Sequence, residues 1–374
     1  MSRVVLKCLS VLTLLVLSLP GFRGVEGFVH AQAPQPDRIP TAVLVPATTL
    51  TFAGAADSNS PAVWELVNGR PTLFLFTSFA GWASRHAGAQ LGGLGTQGRI
   101  VFASPPPHGV WMEAVLPDVD GTWYGYYHNE LPAELCGDDR RTLPRIGAAR
   151  STDFGATWED LGVILEAPRG WHDCATPNRY FVGGVGDFSV ILDHDERYLF
   201  FFVSQYGDRD STQGVAVGRM AWADRDQPQG RLSMWWRGNA WVPTRRLQTN
   251  EDETTFLYPP GVPIYRAQDG WHDGQTVDAF WGPSVHWNTF LEQYVMLLNR
   301  ARDTEWHQEG IYIAFSKSLS DPTAWSAPQR LITSGMWYPQ VVGTEPGVGT
   351  DRIAGERARF FVGGRSQYLI EFMR

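Results

Sequence analysis

Pro61-Ala62-Val63-Trp64-Glu65-Leu66-Val67-Asn68-Gly69-Arg70-Pro71-Thr72-Leu73-Phe74-Leu75-Phe76-Thr77-Ser78-Phe79 reads as one β-hairpin. Two apolar, β-rich runs meet at Asn68-Gly69, a dipeptide suited to a tight hairpin turn. Four more units follow the same plan: Glu113 to Leu116 with Trp123 to Tyr127, Phe188 to Leu192 with Tyr198 to Ser204, Pro283 to Trp287 with Tyr294 to Leu298, and Pro339 to Val342 with Ala358 to Gly363. A hairpin cannot bury its own apolar face, so five recurring hairpins imply radial repetition. The expected fold is all-β, a five-bladed β-propeller.

The third strands also recur. Arg99 to Ser104, Arg145 to Ser151 and Gly310 to Ser316 share an early Ile, a mid-strand Ala and a terminal Ser, and Gly214 to Trp222 fills that place in the third unit. Trp-bearing fourth segments follow at Thr157-Trp158, Met234-Trp235-Trp236 and Ala324-Trp325. The last unit is short of an outer strand, and Thr41 to Phe52 is predicted to supply it and close the ring. Ser151 to Trp158 matches the Asp-box pattern, Ser-x-Asp-x-Gly-x-Thr-Trp. Its Ser151 and Asp153 suit a capped turn and its Trp158 a place between blades, which is a structural role rather than a catalytic one.

At the N-terminus, Arg3 and Lys7 precede an apolar run from Cys8 to Leu19, and Val29-His30-Ala31 places small residues where a signal peptidase reads. A signal peptide over residues 1–31 is predicted, followed by a single propeller domain over 32–374, secreted or periplasmic. The predicted peptide carries a net charge of +2, so its removal takes the chain from −8 to −10. An acidic surface without Lys/Arg blocks disfavours nucleic acid and anionic membrane as partners. No later segment reaches the apolar length of a transmembrane helix. Of three cysteines, Cys136 and Cys174 remain beyond residue 31, either free or paired.

The hairpin turns lie at one end of the propeller, so the opposite end carries the loops leaving each second strand: Ala80 to Gly98, Asn129 to Arg145, Gln205 to Gln213 and Arg300 to Glu309. Long loops on one face of a rigid scaffold are where binding is expected. Aligning the first strands on Val63, Val115, Val190, Val285 and Val341 brings Asp57, Glu113 and Asp187 to the axis at that end, and Tyr126-Tyr127-His128-Asn129-Glu130 adds a His and a carboxylate. Glu113 also reads as a solvated strand end, and Asp57 and Asp187 as turn caps. Carboxylates converging on one cleft suit glycosidic hydrolysis, in which one group protonates the leaving oxygen and another attacks or activates water. The candidate catalytic residues are Asp57 as base or nucleophile, with Asp187 or Glu130 as proton donor. Candidate substrate contacts are Trp82, His128, Trp171, Trp281, His286, Arg300 and Trp306. Trp171-His172-Asp173 and Trp271-His272-Asp273 repeat 100 positions apart, and loop capping accounts for them better than a metal site.

Asp57-Ser58-Asn59-Ser60-Pro61, the five-unit layout and Trp281-Gly282-Pro283-Ser284-Val285-His286-Trp287-Asn288 resemble the five-bladed propeller glycosidases, namely glycoside hydrolase family 43 and the invertase and levansucrase group. The resemblance implies a first-blade Asp as base or nucleophile, a second-blade Asp that tunes the pair and a third-blade Glu as acid. Asp57 matches by position and type; Asp187 stands where Glu is usual, and Glu113 or Glu130 where Asp is usual. No cofactor is required on this reading, although a central His binds Ca2+ in some relatives and His286 is the candidate here.

The expected function is therefore a secreted, monomeric glycoside hydrolase acting on polysaccharide or oligosaccharide, furanosides included. Two alternatives stand beside it: a non-catalytic carbohydrate-binding propeller, and a sialidase-like enzyme suggested by the Asp-box.

Overall fold

At the Asn68-Gly69 turn of the computed structural model, Val67 pairs directly with Arg70 and both turn residues are left-handed, with φ of 51° and 74°. That turn matches the twist of the strands it joins. The structure describes residues 38–236, 240–248 and 254–374. The expected signal peptide lies outside them.

Five blade sheets, antiparallel apart from the short edge strands Val101–Phe102 and Ile353–Ala354, follow in chain order, beside a separate two-stranded sheet of Arg245–Gln248 and Thr254–Leu257. Blade 1 is Ala62–Val67, Arg70–Phe79, Trp82–Gly88 and Gly95–Arg99. Blade 2 is Gly109–Pro117, Trp123–Pro132, Thr142–Ser151 and Thr157–Leu165, with Val101–Phe102 added in parallel at its outer edge. Blade 3 is Val185–Leu192, Tyr198–Tyr206, Gln213–Ala221, Ser233–Trp236 and Ala240–Pro243. Blade 4 is Thr276–Asn288, Gln293–Asp303, Gln308–Ser316 and Gln329–Thr333. Blade 5 takes Pro339–Gly343, Arg357–Val362 and Arg365–Met373 from the C-terminus and its outer strand, Thr41–Thr51, from the N-terminal side. The ring is thus closed by pairing the two ends of the described chain, as the short last unit predicts.

Two local expectations fail. The stretch from Ala80 to Gly98 is not an exit loop but the third and fourth strands of blade 1. Ala80 and Gly81 (φ 50° and 81°) make a second tight turn, so Phe79 pairs with Trp82. The expected strand Arg99 to Ser104 is consequently divided between blade 1 and the edge of blade 2. In blade 4, Ala324 belongs to a short 3-10 turn, and Trp325 packs edge-on against Phe202 of blade 3 at 5.4 Å.

Each boundary between blades holds its own apolar core. Phe74, Phe76, Trp123 and Trp158 fill the first boundary, and Tyr126, Phe188 and Phe201 the second. Phe202, Met296 and Leu298 fill the third, Leu297, Phe315 and Phe360 the fourth, and Phe52, Leu75 and Phe361 the closing one. Fully burying a side chain of this size contributes roughly 1.5–3 kcal/mol. The turn from Ser151 to Trp158 serves the first core. Asp153 accepts from Ala156 N and Thr157 N, Ser151 Oγ accepts from Gly155 N, and the Trp158 indole donates to Gly155 O at 3.0 Å.

Hydrogen bonds across the axis join the blades. Asn59 Nδ2 donates to Phe188 O at 2.8 Å and Pro283 O at 2.9 Å, tying blade 1 to blades 3 and 4. Gln340 binds both main-chain groups of Ser60 and seals blade 5 to blade 1.

Candidate active site

The first strands of blades 2, 3 and 4 each slip in register, between Met112 and Ala114, Gly186 and Phe188, and Trp281 and Ser284. A bulge leaves a residue outside the ladder and re-aims its side chain. In blades 2 and 3 the residues so released are Glu113 and Asp187. Asp187 holds a left-handed φ of 41°, a conformation that costs a non-glycine residue on the order of 1–3 kcal/mol.

Both carboxylates are buried and saturated. Asp187 Oδ1 accepts from the Tyr338 hydroxyl at 3.0 Å and Oδ2 from the Tyr206 hydroxyl. Glu113 Oε2 accepts from Phe188 N at 2.9 Å, and Oε1 lies 3.3 Å from His128 Nδ1. Burial raises the Glu113 carboxyl, opposed by its contact with His128. His128 Nε2 has no hydrogen-bond partner and faces Glu130 Oε1 at 3.7 Å.

Asp57 and Glu130 are the members of this group that solvent reaches. Asp57 is half-buried and donates its amide to Ser78 O at 2.7 Å. Burial, then the like charges of Asp187 and Glu130, push its carboxyl up to about 6, against the pull of His128 and of a hydrogen bond from Trp111. The Glu130 side chain is 27% exposed. Burial and Asp187 raise its carboxyl above the usual range, with His128 acting the other way.

Asp57 lines a cavity of about 580 Å³ walled by Phe79, Trp306, Trp337 and Tyr338, with Arg302 and His307 at its polar side. Beneath that wall lies a further aromatic cluster. Trp306 stacks on Trp271 at 5.2 Å, meets Trp281 edge-on at 4.8 Å and packs against Phe181 and Tyr206. Trp271 and Trp281 are buried, so rings of the cluster hold the cavity wall rigid from behind.

The structure thus gathers Asp57, Asp187, Glu130, His128 and Trp306, and places the other expected residues elsewhere. His128 is only 3% exposed and lies under the carboxylates rather than against a ligand. Asp187 is buried with both oxygens accepting from tyrosines, so it is no proton donor to a ligand. Glu113 is 2% exposed, not the solvated strand end its position suggests. Trp281 supports Trp306 from within the core. Arg300 is committed to Asp278 by two bonds of 2.6 and 2.7 Å on the face of blade 4. His286 is fully buried and packs on Phe372 of blade 5 at 5.7 Å. Burial alone lowers it to about 3, and both of its ring nitrogens are buried without a hydrogen-bond partner. Trp171 is half-buried, with its amide bonded to Pro168 O. Trp82 is 58% exposed in a separate groove, where the Arg99 guanidinium lies 4.5 Å over its ring.

The two Trp-His-Asp segments meet behind this site. Thr176 Oγ1 bonds Trp271 O at 3.2 Å and His272 Nδ1 at 2.6 Å. Cys136 and Cys174 form a disulfide that joins the exit of the Glu130 strand to the loop before blade 3. His172 lies close to both sulfurs, but disulfide sulfur is no thiolate ligand. Glu113, His128 and Asp187 also bring donor atoms within 4.8 Å of one another. Their oxygens are already taken by Phe188 N, His128, Tyr206 and Tyr338, which leaves His128 Nε2 as the atom of the group without a hydrogen-bond partner.

Sequence reasoning missed Trp111, Tyr206, Tyr338 and Trp337. Tyr206 could have been found: it ends the third hairpin at the same level as Glu130 in the second. Tyr338 and Trp337 carried no signal beyond preceding the last first strand.

No protein-family model matches this sequence, and no curated protein matches it. Among solved structures, the chain is similar to an endo-arabinase from Bacteroides thetaiotaomicron, with 12% identity over 85% of this chain and 94% of that one and a TM-score of 0.46. It is similar to an exo-β-1,3-galactanase from Phanerochaete chrysosporium, with 14% identity over 88% and 63% of the two chains and a TM-score of 0.47. It is also similar to the catalytic domain of a GH62 α-L-arabinofuranosidase from Coprinopsis cinerea, with 10% identity over 90% and 97% and a TM-score of 0.45.

Proposed function

We propose that this chain is a secreted glycoside hydrolase acting on polysaccharide or oligosaccharide, with Asp57 as general base or nucleophile and Glu130 as proton donor. The observation that carries the reading is Asp57 itself. A half-buried carboxylate raised to about 6 by burial and by two further acids opens onto a cavity with aromatic walls. A base of this kind works best when its pKa lies near the operating pH. Glu130 is the second acid that solvent reaches, raised by the same burial, and Asp187 lies close to both. Trp337 and Phe79 offer flat apolar faces suited to sugar rings, with Trp306 buried behind them.

A release assay over a panel of plant and microbial polysaccharides, run beside Asp57→Asn, tests this reading. Soluble sugar from one polymer, lost in the variant, is the expected result. The exposed Trp82 and Arg99 groove favours a second reading, carbohydrate binding without cleavage. Retention of a polymer with no release by the native protein would select it.

A further inference from the structure

At four of the five blade boundaries, the same position of one blade's second strand meets the same backbone amide of the next blade's first strand. Ser78 Oγ accepts from Met112 N at 2.9 Å, Ser204 Oγ from Gly282 N at 2.9 Å, and Asn299 Oδ1 from Tyr338 N at 3.0 Å. Blade 2 brings His128 Nδ1 to within 3.3 Å of Asp187 N. Three boundaries thus use a short neutral acceptor, whereas the fourth uses a group that titrates.

His128 Nδ1 also lies 3.3 Å from Glu113 Oε1. One nitrogen cannot serve both neighbours, because the amide needs its lone pair and the carboxylate needs a proton on it. The surroundings decide the contest. Glu113 faces the ring from the first strand of the same blade, Glu130 from two residues along its own strand, Asp187 from blade 3, and Asp57 acts on it from blade 1. The rings of Trp111 and Phe181 pack on it without charge, and the hydroxyls of Tyr206 and Tyr338 are given to Asp187. His128 is the one base that acts on Asp57, Glu113 and Glu130 alike. Leaving one amide without an acceptor costs less than leaving four converging carboxylates without a cation.

We propose that Glu113 and His128 form a buried ion pair whose imidazolium is the counter-charge of the carboxylate site, its Nδ1–H donating a hydrogen bond to the Glu113 carboxylate and its Nε2–H directed at Glu130. Burial alone would lower the ring, yet the contact with Glu113 and the charges of Asp187 and Glu130 hold it up at about 9. His128 is a positioning residue. It sets how readily Asp57 and Glu130 hold their protons. Blade 2 gives up the neutral amide cap of its neighbours to place a charge there. The ion pair stands whether or not the site cleaves a glycan, and only its effect on turnover rests on the hydrolase reading.

His128→Asn tests the proposal directly, because Asn carries an acceptor at the reach of Nδ1. Asn299 already makes that cap, so the fold persists while the charge is lost. The full chain, labelled with ¹³C at histidine Cε1, is followed by NMR across pH. One imidazole, missing in His128→Asn, should titrate near 9 and fall toward the ordinary value of about 6.5 in Glu113→Gln. A midpoint at or below that ordinary value, or one unmoved by Glu113→Gln, overturns the ion pair. Labelled aspartate carboxyl carbons give a second readout that does not depend on how Glu113→Gln folds. Asp57 should titrate at higher pH in His128→Asn and in His128→Ser than in the native chain, and an unchanged midpoint overturns the counter-charge role. Neither readout needs a substrate. Where a glycan is cleaved, the acidic limb of kcat/KM should move upward with Asp57 in His128→Asn, by no more in the double variant with Glu113→Gln. Additive shifts would show that the two residues do not act as one pair.

Discussion

The hydroxyl of Tyr338, at the start of blade 5, donates to Asp187 Oδ1 in blade 3 across 3.0 Å. With Tyr206 on the other oxygen, Asp187 is locked as an acceptor at the centre of the ring. A buried hydrogen bond to a charged group contributes roughly 1.5–3 kcal/mol. Tyr338→Phe and Tyr206→Phe should each lower the unfolding free energy by about that amount, measured by urea denaturation. Losses below about 0.5 kcal/mol in both would show that the carboxylate finds other partners.

Asp57 costs the folded state stability at neutral pH. Its folded pKa, about 6, lies above the unfolded value near 3.8, so the folded chain binds the proton more tightly and stability falls as pH rises between those values. Asn cannot ionise. Asp57→Asn and the native chain should therefore be equally stable below about pH 4, and the variant more stable above pH 6 by on the order of 1–2 kcal/mol, allowing for partial exposure. A difference that is constant from pH 4 to pH 8 would mean that the carboxylate is not desolvated in the folded state.

Five hairpins were legible because their strands alternate apolar residues strongly and their turns carry Asn-Gly or Asp-rich signals. The outer strands of blade 1 were not. Trp82–Gly88 buries mainly Ala83 and His86, and the Ala80-Gly81 turn lacks the usual polar partner. Asp57 and Glu130 were visible as acids at the loop end of successive blades. Glu113 was misread because a bulge changes which face a residue occupies, and strict alternation cannot show one. His286 failed for a related reason: a histidine facing the axis and one facing the next blade sit in the same pattern. The tyrosines that hold Asp187 come from blades 3 and 5 and meet only when the ring closes.

Cys136 and Cys174 are 38 residues apart, and closing a loop of that length restricts the unfolded chain by about 4 kcal/mol on the entropic account. The bridge pins loops rather than blades, so part of that loss should appear as local opening. Reduction, or Cys136→Ser with Cys174→Ser, should lower the midpoint of thermal unfolding and open residues 133–141 to limited proteolysis. Unchanged cleavage there would mean that the bond from Arg141 to Thr176 O, 2.7 Å long, holds the loop without the disulfide.

Thr41–Thr51 pairs antiparallel with Arg365–Met373 and completes blade 5. Without it, a nine-residue strand would present an open edge, and exposed edges template association. A chain beginning at Ala53 should be produced largely as aggregate. Supplying residues 38–52 as a separate peptide should recover soluble protein. A monomeric, cooperatively folding truncation would show that ring closure needs only the three C-terminal strands.

Kinetics separate the two acids that solvent reaches. Asp57 at about 6 places the acidic limb of kcat/KM near that pH, because the base must be ionised before it can act. Asp57→Asn should lower kcat by roughly a hundredfold to ten-thousandfold on every substrate and leave ligand affinity largely in place, since Asn keeps the shape and the Trp111 contact. Glu130→Gln should behave differently. A proton donor matters in proportion to the basicity of the leaving oxygen, so the variant should be strongly impaired on a natural glycan and only mildly on an aryl glycoside whose phenol leaves unaided. The basic limb should disappear in Glu130→Gln while the acidic limb stays. Equal impairment of Glu130→Gln on both substrates would remove Glu130 from the donor role, and a loss of the acidic limb in that variant would reverse the assignment of the two residues.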